Sequence, residues 1–361
     1  MPAKILFASV EFDRLSPEAT LPAKFSRMLG KLSLGDKLGG KTVAIKMHVG
    51  RGVGYTTIHP LFVRDLVNKC KAAGAKRVFV TDQDVSGAAA RGYTQEFLGC
   101  PVVDMCASTG KYYYEKTVDF KTFKNVDVGG SIYDVDFLIN LSHIKGHGCC
   151  GLGGAVKNIA MGCVTDRTRM QIHGLEGGLA WKKELCTNCR ACVENCNHEA
   201  CLFNDDGDFS PNYHHCTLCQ HCVKVCPTGA ISLDSHNYTD FQAGMAVCTQ
   251  KCLEHFDKGK VLNISFLLDM TVMCDCWGFS TPSMIPDVGI IACDDIVAVE
   301  KCALDMMTLD NFNPKSLPKG KQLSGHGHLI EQVHGKDPWV QLDQLVGLGM
   351  GELAYTLEEV E

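Results

Sequence analysis

The chain has 361 residues, a formal net charge of −6 and 21% charged residues, enough for a sizeable core and more than one domain. No basic block marks it for nucleic acid, and no apolar run approaches the roughly 18–20 residues of a membrane span. The short apolar run at residues 5–10 reads as a first strand rather than a signal sequence, which makes the cytoplasm the default compartment. There, the 21 cysteines are reduced thiols rather than disulfides, a number that suits an anaerobic cell.

Residues 42–46 (TVAIK) read as a buried strand that runs into Met47, His48 and the glycine-rich Gly50-Arg51-Gly52-Val53-Gly54 segment. Pro60 opens a helix with Phe62, Val63, Leu66, Val67 and Cys70 on one face, and Gly74 stops it. Residues 77–81 (RVFVT) form the next strand and end at Asp82 and Asp84. Strand, helix and strand in such quick succession is the pattern of a parallel α/β unit.

The pattern returns at residues 136–141 (DFLINL), a strand that delivers Ser142, His143, Lys145 and His147 ahead of Gly148, Gly151, Gly153 and Gly154. A helix over residues 155–161 follows, with Lys157 and Asn158 in its first turns. Farther on, Phe241, Met245, Cys248 and Cys252 fall at helical spacing, and residues 261–268 read as a strand whose exit holds Asp269 and Cys274-Asp275-Cys276. Residues 287–293 form another strand, after which Asp294-Asp295 cap a helix with the core stripe Ile296, Val299, Cys302 and Met306. Residues 311–335, rich in Pro, Gly, Lys and His, read as surface loop.

Between these halves lie Cys186, Cys189, Cys192 and Cys196, then Cys216, Cys219, Cys222 and Cys226 followed by Pro227. Both runs read C-x2-C-x2-C-x3-C, and three close thiolates with a fourth apart suit a cubane iron-sulfur cluster. In the bacterial ferredoxin arrangement the fourth cysteine of each run crosses to the other cluster. That arrangement groups Cys186, Cys189, Cys192 and Cys226 on one 4Fe-4S cluster, and Cys216, Cys219, Cys222 and Cys196 on the other. A zinc ribbon would leave Cys192, Cys196, Cys222 and Cys226 without a task. The stretch resembles a two-cluster bacterial ferredoxin, with Asn197 where the first run usually has Pro. Cys201 reads as a packing residue. The chain thus divides into an α/β segment over 1–180, a ferredoxin-like domain over 181–235 and a second α/β segment over 236–361.

Ligands of open parallel sheets bind outside the carboxyl ends of the strands. The strand exits here carry Lys46 and His48, Asp82 and Asp84, then His143, Lys145 and His147, then Asp294 and Asp295, and together suggest one pocket. His143, Lys145, His147 and His48 are the candidate catalytic residues. Lys46, Gly153, Gly154, Lys157, Asn158 and Asp82 are the candidate binding residues, the glycine segment offering backbone N–H groups at a helix N-terminus. Bland readings stand beside these: Asp294 as an N-cap, Asp82 as a loop tie, His48 as a structural group. The Cys274-Asp275-Cys276 triplet lacks the spacing of cluster knuckles and stays open between metal binding, redox chemistry and packing. The segment Gly151-Leu152-Gly153-Gly154 is no G-x-G-x-x-G and claims no dinucleotide.

KMHVG at 46–50, SHIKGHGCCGLGGAVKNIAMGC at 142–163, CDC at 274–276 and PDVGIIACDDIVAVEKCALD at 286–305 resemble the family called domain of unknown function 362. Arg51 stands where that family usually has an acidic residue, and Glu300 where it has Asp. The resemblance implies a mostly parallel α/β sheet flanked by helices, interrupted by the cluster module, and redox work in anaerobic bacteria and archaea. Two functions follow as expectations. One is an iron-sulfur oxidoreductase whose clusters serve a small anionic substrate or an unidentified organic cofactor in the α/β pocket. The other is an electron carrier or maturation partner whose α/β domain docks a redox partner protein. Neither involves nucleic acid or membrane, and assembly into a homo-oligomer stays open.

Overall fold

The computed structural model describes residues 2–196, 199–212, 216, 221–233 and 238–361. Its spine is an eight-stranded sheet. In chain order the strands are β1 (Ala3–Ser9), β2 (Thr42–Lys46), β3 (Arg77–Asp82), β4 (Val102–Asp104), β5 (Phe137–His143), β6 (Val261–Leu267), β7 (Gly289–Cys293) and β8 (Tyr355–Glu359). They lie side by side as β8-β1-β7-β6-β5-β2-β3-β4. The run from β6 to β4 is wholly parallel, whereas β7 is antiparallel to both neighbours. This is a mostly parallel α/β sheet.

Both faces are covered. Because side chains alternate along a strand, Ala44 and Leu138 enter one core, while Val43, Ile45, Phe137 and Ile139 enter the other. Helices α1 (Leu21–Lys31) and α2 (Pro60–Ala72) cover the second face, where Phe25, Phe62 and Phe266 meet edge-to-face at 5.3–5.6 Å. Helices α3 (Ala155–Ala160), α4 (Asp166–Gly174), α5 (Tyr238–Leu253) and α6 (Ile296–Met306) cover the first. Helix α1 and the hairpin of Tyr113–Phe120 with Phe123–Gly129 are additions to the expected elements.

The direction of β7 corrects one expectation. Its register pairs Cys293 with Asn263 and Gly289 with Leu267, so Asp294 and Asp295 leave at the edge opposite Lys46 and Asp82. Asp295 caps α6 by accepting from the Ala298 N–H at 2.9 Å, the bland reading of this pair. A second correction concerns residues 311–335: Leu329–His334 is helical, and buried Leu329 and Ile330 pack it on the hairpin of Lys145–His147 with Gly151–Gly153.

Between α4 and α5, Leu179–Trp181 pairs antiparallel with Ile231–Leu233 and closes a small lobe. Its core contains Leu179, Cys192, Cys201, Phe209, Cys222 and Ile231. Two short helices, Ala191–Glu194 and His221–Val225, bury Cys192 and Cys222 at equivalent places in the two cysteine runs. Cys219 and Asn197 lie outside the described residues.

The start of α3 is occupied by the protein itself. Glu300, buried on α6, accepts from the Ala155 N–H at 2.7 Å and from Gln341 Nε2 at 3.0 Å. A Cβ on Gly154 would lie 2.4 Å from that carboxylate, so a larger residue there would have to displace Glu300. Burial pushes the Glu300 carboxyl up to about 7. The N-terminal N–H that sequence offered to an external anion is therefore taken by Glu300. Glu300→Ala should lower the unfolding free energy by about 1–3 kcal/mol, because a buried N–H loses its acceptor; an unchanged denaturant midpoint would contradict this role.

Candidate functional site

The connection from β2 through β3 to β4 moves one way across the sheet, and β5 lies on the other side of β2. The crevice outside the carboxyl ends of β2 and β5 is thus the topological switch point, where open α/β sheets bind ligands. A narrow cleft opens there. The exits of β2 and β3 give it Lys46, His48, Arg51, Asp82 and Asp84; the segment after β5 gives Lys145, Gly153, Gly154, Lys157 and Asn158. Arg169 from α4 and Cys274 and Cys276 from beyond β6 complete it.

One half of the cleft is built on Asp82. Lys46 Nζ stands 3.1 Å from Asp82 Oδ1 and donates to Asn158 Oδ1 at 2.6 Å. Asn158 Nδ2 returns bonds to the Lys46 and Leu141 carbonyls and to Asn140 Oδ1. A Cβ on Gly162 would lie 2.3 Å from Lys46 Nζ, which accounts for glycine there. Asp82 Oδ2 accepts from the Val49 N–H at 3.2 Å and faces His48 Nδ1 at 2.8 Å. Burial raises the Asp82 carboxyl, but Lys46 and His48 outweigh it and hold it well below the usual carboxylate range. With Nδ1–H committed to Asp82, His48 keeps Nε2 without a partner among the described residues.

The other half is built on the Cys274–Cys276 turn. Buried Asp275 faces His143 Nδ1 at 2.9 Å and Lys145 Nζ at 3.2 Å. Burial raises its carboxyl, and Lys145 and His143 together hold it well below the usual range. His143 Nε2 meets the Leu268 carbonyl at 2.7 Å, so both its ring nitrogens are spent on protein and it stays out of the lining. Lys145 also donates to the His143 carbonyl at 2.8 Å.

Lys157 Nζ lies 3.5 Å from Cys274 Sγ and 3.9 Å from Cys276 Sγ. Burial would push the Cys274 thiol up, yet the Cys276 thiol, Lys157 and His147 outweigh it and hold Cys274 well below an ordinary thiol. Its hydrogen bond to Cys274, with burial, pushes Cys276 up.

His147, Cys274 and Cys276 place ligand atoms within 4.8 Å of one another, as do Cys149, His173 and Glu176. In the first group, His147 Nδ1 accepts from the Cys149 and Cys150 N–H groups at 3.1 and 3.3 Å. The ring proton is therefore on Nε2, and the hydrogen bond to Cys274 runs from it. Burial, with Lys157 nearby, lowers His147 to about 4 and keeps it neutral. A metal on Nε2 would need the proton on Nδ1, against two N–H donors. In the second group, Glu176 is already bonded by His173 Nδ1 at 3.1 Å and by Cys149.

His147 lies one wall away from the cleft, beside a small cavity. Lys157, Met161, Arg169 and Cys276 line both spaces, and Cys216 of the small lobe lines the cavity. In that lobe Cys201 hydrogen-bonds both Cys196 and Cys222, lowering Cys222 to about 7. Cys226 is raised by burial but held below an ordinary thiol by the N–H groups of Ile231, Thr228 and Ala230.

Lys46, His48, Asp82, Lys145, Gly153, Gly154, Lys157 and Asn158 thus share one cleft, with His147 next door and His143 behind. Arg169 and the anchoring role of Asp275 escaped the sequence. The CDC triplet following a buried strand was the only signal for Asp275. Depressed carboxylates stabilise the fold fully above their unfolded pKa near 4 and lose that contribution as pH falls towards the folded value. Acid titration of stability should therefore show a limb below about pH 4 that is shallower in Asp275→Asn by up to about 1.4 kcal/mol per pH unit; equal slopes would contradict the buried ion cluster.

Among the described residues no helix is long and apolar enough to cross a membrane. Over 61 residues the chain is 31% identical to the 4-hydroxyphenylacetate decarboxylase activating enzyme of Clostridium scatologenes, covering 16% of this chain and 18% of that one. The chain spans less than a fifth of that relative's length. A solved Thermotoga maritima protein superposes on 70% of this chain and 52% of its own at 11% identity and a TM-score of 0.39. Lactate racemase apoprotein from Thermoanaerobacterium thermosaccharolyticum does so on 73% and 51% at 12% identity and a TM-score of 0.33. The chain spans about half the length of each, and likeness at that level carries no argument about activity. Residues 43–305 match the family described as "Domain of unknown function (DUF362)", a span that holds every cleft residue named above. The chain belongs to the DUF362 family.

Proposed function

We propose that the chain is an iron-sulfur redox protein that holds two 4Fe-4S clusters in its small lobe and a small anion in the α/β cleft. Cys186, Cys189, Cys192 and Cys226 would hold one cluster, and Cys216, Cys222, Cys196 and Cys219 the other. Bound cubanes of this kind supply one-electron transfers. The donor set suits them: Cys196 and Cys222, from different runs, converge on Cys201, and Cys226 Sγ faces backbone N–H groups of the sort that tune cluster sulfurs.

The observation that carries the proposal is the cavity that Cys216 shares with His147 and Cys276. It brings a cysteine of the second run to the wall of the cleft. The cleft lining has five cationic side chains, Lys46, Arg51, Lys145, Lys157 and Arg169, against the carboxylates Asp82 and Asp84 and the low-held Cys274 thiol, an excess of positive charge that favours an anion. His48, oriented by Asp82 through Nδ1, has Nε2 available to take a proton from it or return one. The likeness to an activating enzyme, over 61 residues, names no substrate for this chain.

Anaerobically purified protein should hold about eight irons and as many acid-labile sulfides per chain; about two zinc ions instead would overturn the reading. Native mass spectrometry of that holoprotein should show a small bound anion that is lost in Lys157→Ala while the iron stays, and retention of the anion in the variant would remove Lys157 from the site.

A further inference from the structure

The Cys274–Cys276 turn has features that anion binding alone does not call for. The two sulfurs lie 2.6 Å apart, and the Cys276 N–H donates to Cys274 Sγ at 3.3 Å. Lys157 faces both sulfurs and His147 donates to Cys274. Asp275 between them is pinned by His143 and Lys145, which anchors the turn from behind. Cys276 lines both the cleft and the cavity that contains Cys216.

A resident metal is the competing use of these residues, and the tautomer of His147 opposes it. Two backbone N–H groups on Nδ1 leave the ring a donor at Nε2, a partner for a thiolate rather than a ligand for a cation.

We infer that Cys274 and Cys276 form a redox-active pair, cycling between dithiol and disulfide, that joins one-electron iron-sulfur chemistry to two-electron chemistry in the cleft. The inference rests on the cluster reading for its electron source. In the reductive half, the Cys274–Cys276 S–S bond would accept two electrons, which reduced clusters held by the small lobe would supply one at a time, and break. Cys274 leaves as the thiolate and Cys276 takes one proton from water in the cleft. In the oxidative half, the Cys274 thiolate attacks one sulfur of a small anionic disulfide and expels the other as a thiolate. Cys276 then loses its proton to that thiolate, attacks Cys274 and releases the second thiolate, so the S–S bond re-forms with two electrons delivered. A thiolate held low by Lys157 and His147 is both the better leaving group and the species that attacks. With the disulfide formed, Lys157 faces no thiolate, and its charge is open to the incoming anion.

The test uses iron-loaded holoprotein equilibrated under argon in dithiothreitol redox buffers, denatured in iodoacetamide and mapped by peptide mass. The peptide carrying Cys274 and Cys276 should pass from two alkyl groups to none in a single two-electron transition. Photoreduction of the iron should restore both alkyl groups in the oxidised wild-type protein. Full alkylation at every buffer ratio with iron intact would overturn the pair. So would one non-iron metal ion per chain that is lost in Cys276→Ser. Anaerobically purified protein that holds no iron while the pair still titrates would instead overturn the cluster reading and the coupling to it.

Discussion

Two buried carboxylates, Asp82 and Asp275, hold the working end of this fold together. A charge removed from water must be paired, and each pairs with a lysine and a histidine delivered by the neighbouring strand exits. Asp82 ties β3 to the exit of β2, and Asp275 ties the segment beyond β6 to the exit of β5. Removing one partner from such a cluster leaves a buried charge uncompensated, which is why pairs of this sort are costly to break. The same ties aim Lys157 and His147 at the Cys274 sulfur.

Much of this was legible from strand exits. Residues 42–46, 77–81 and 136–141 read as parallel strands, and ligands collect at the carboxyl ends of such strands, so Lys46, His48, Asp82 and Lys145 fell into one expected pocket. The same logic misplaced Asp294 and Asp295, because periodicity is the same for a strand and its reverse and β7 is antiparallel. The glycine segment reads as a cradle for an anion, but Glu300, far along the chain, fills the helix start. Arg169 enters from α4, beyond any local motif.

His143, Lys145 and His147 show the limit most clearly. Their grouping in sequence suggested three handles on a substrate. In the fold all three turn to the Cys274–Cys276 segment: His143 and Lys145 hold Asp275, and His147 serves Cys274. The polar cluster builds a site around sulfur, and Lys145 and Lys157 also face the cleft. Which distant turn receives a side chain is a matter of tertiary packing, and spacing within one segment does not encode it.

The small lobe and the cleft form one account only if iron stands beside the shared cavity. The most direct measurement is iron anomalous scattering from crystals grown without oxygen. The account predicts two separate iron centres within the lobe, one of them beside the cavity lined by Cys216, Cys276 and His147. Iron absent from the lobe, or a single metal seated between His147, Cys274 and Cys276, would contradict it.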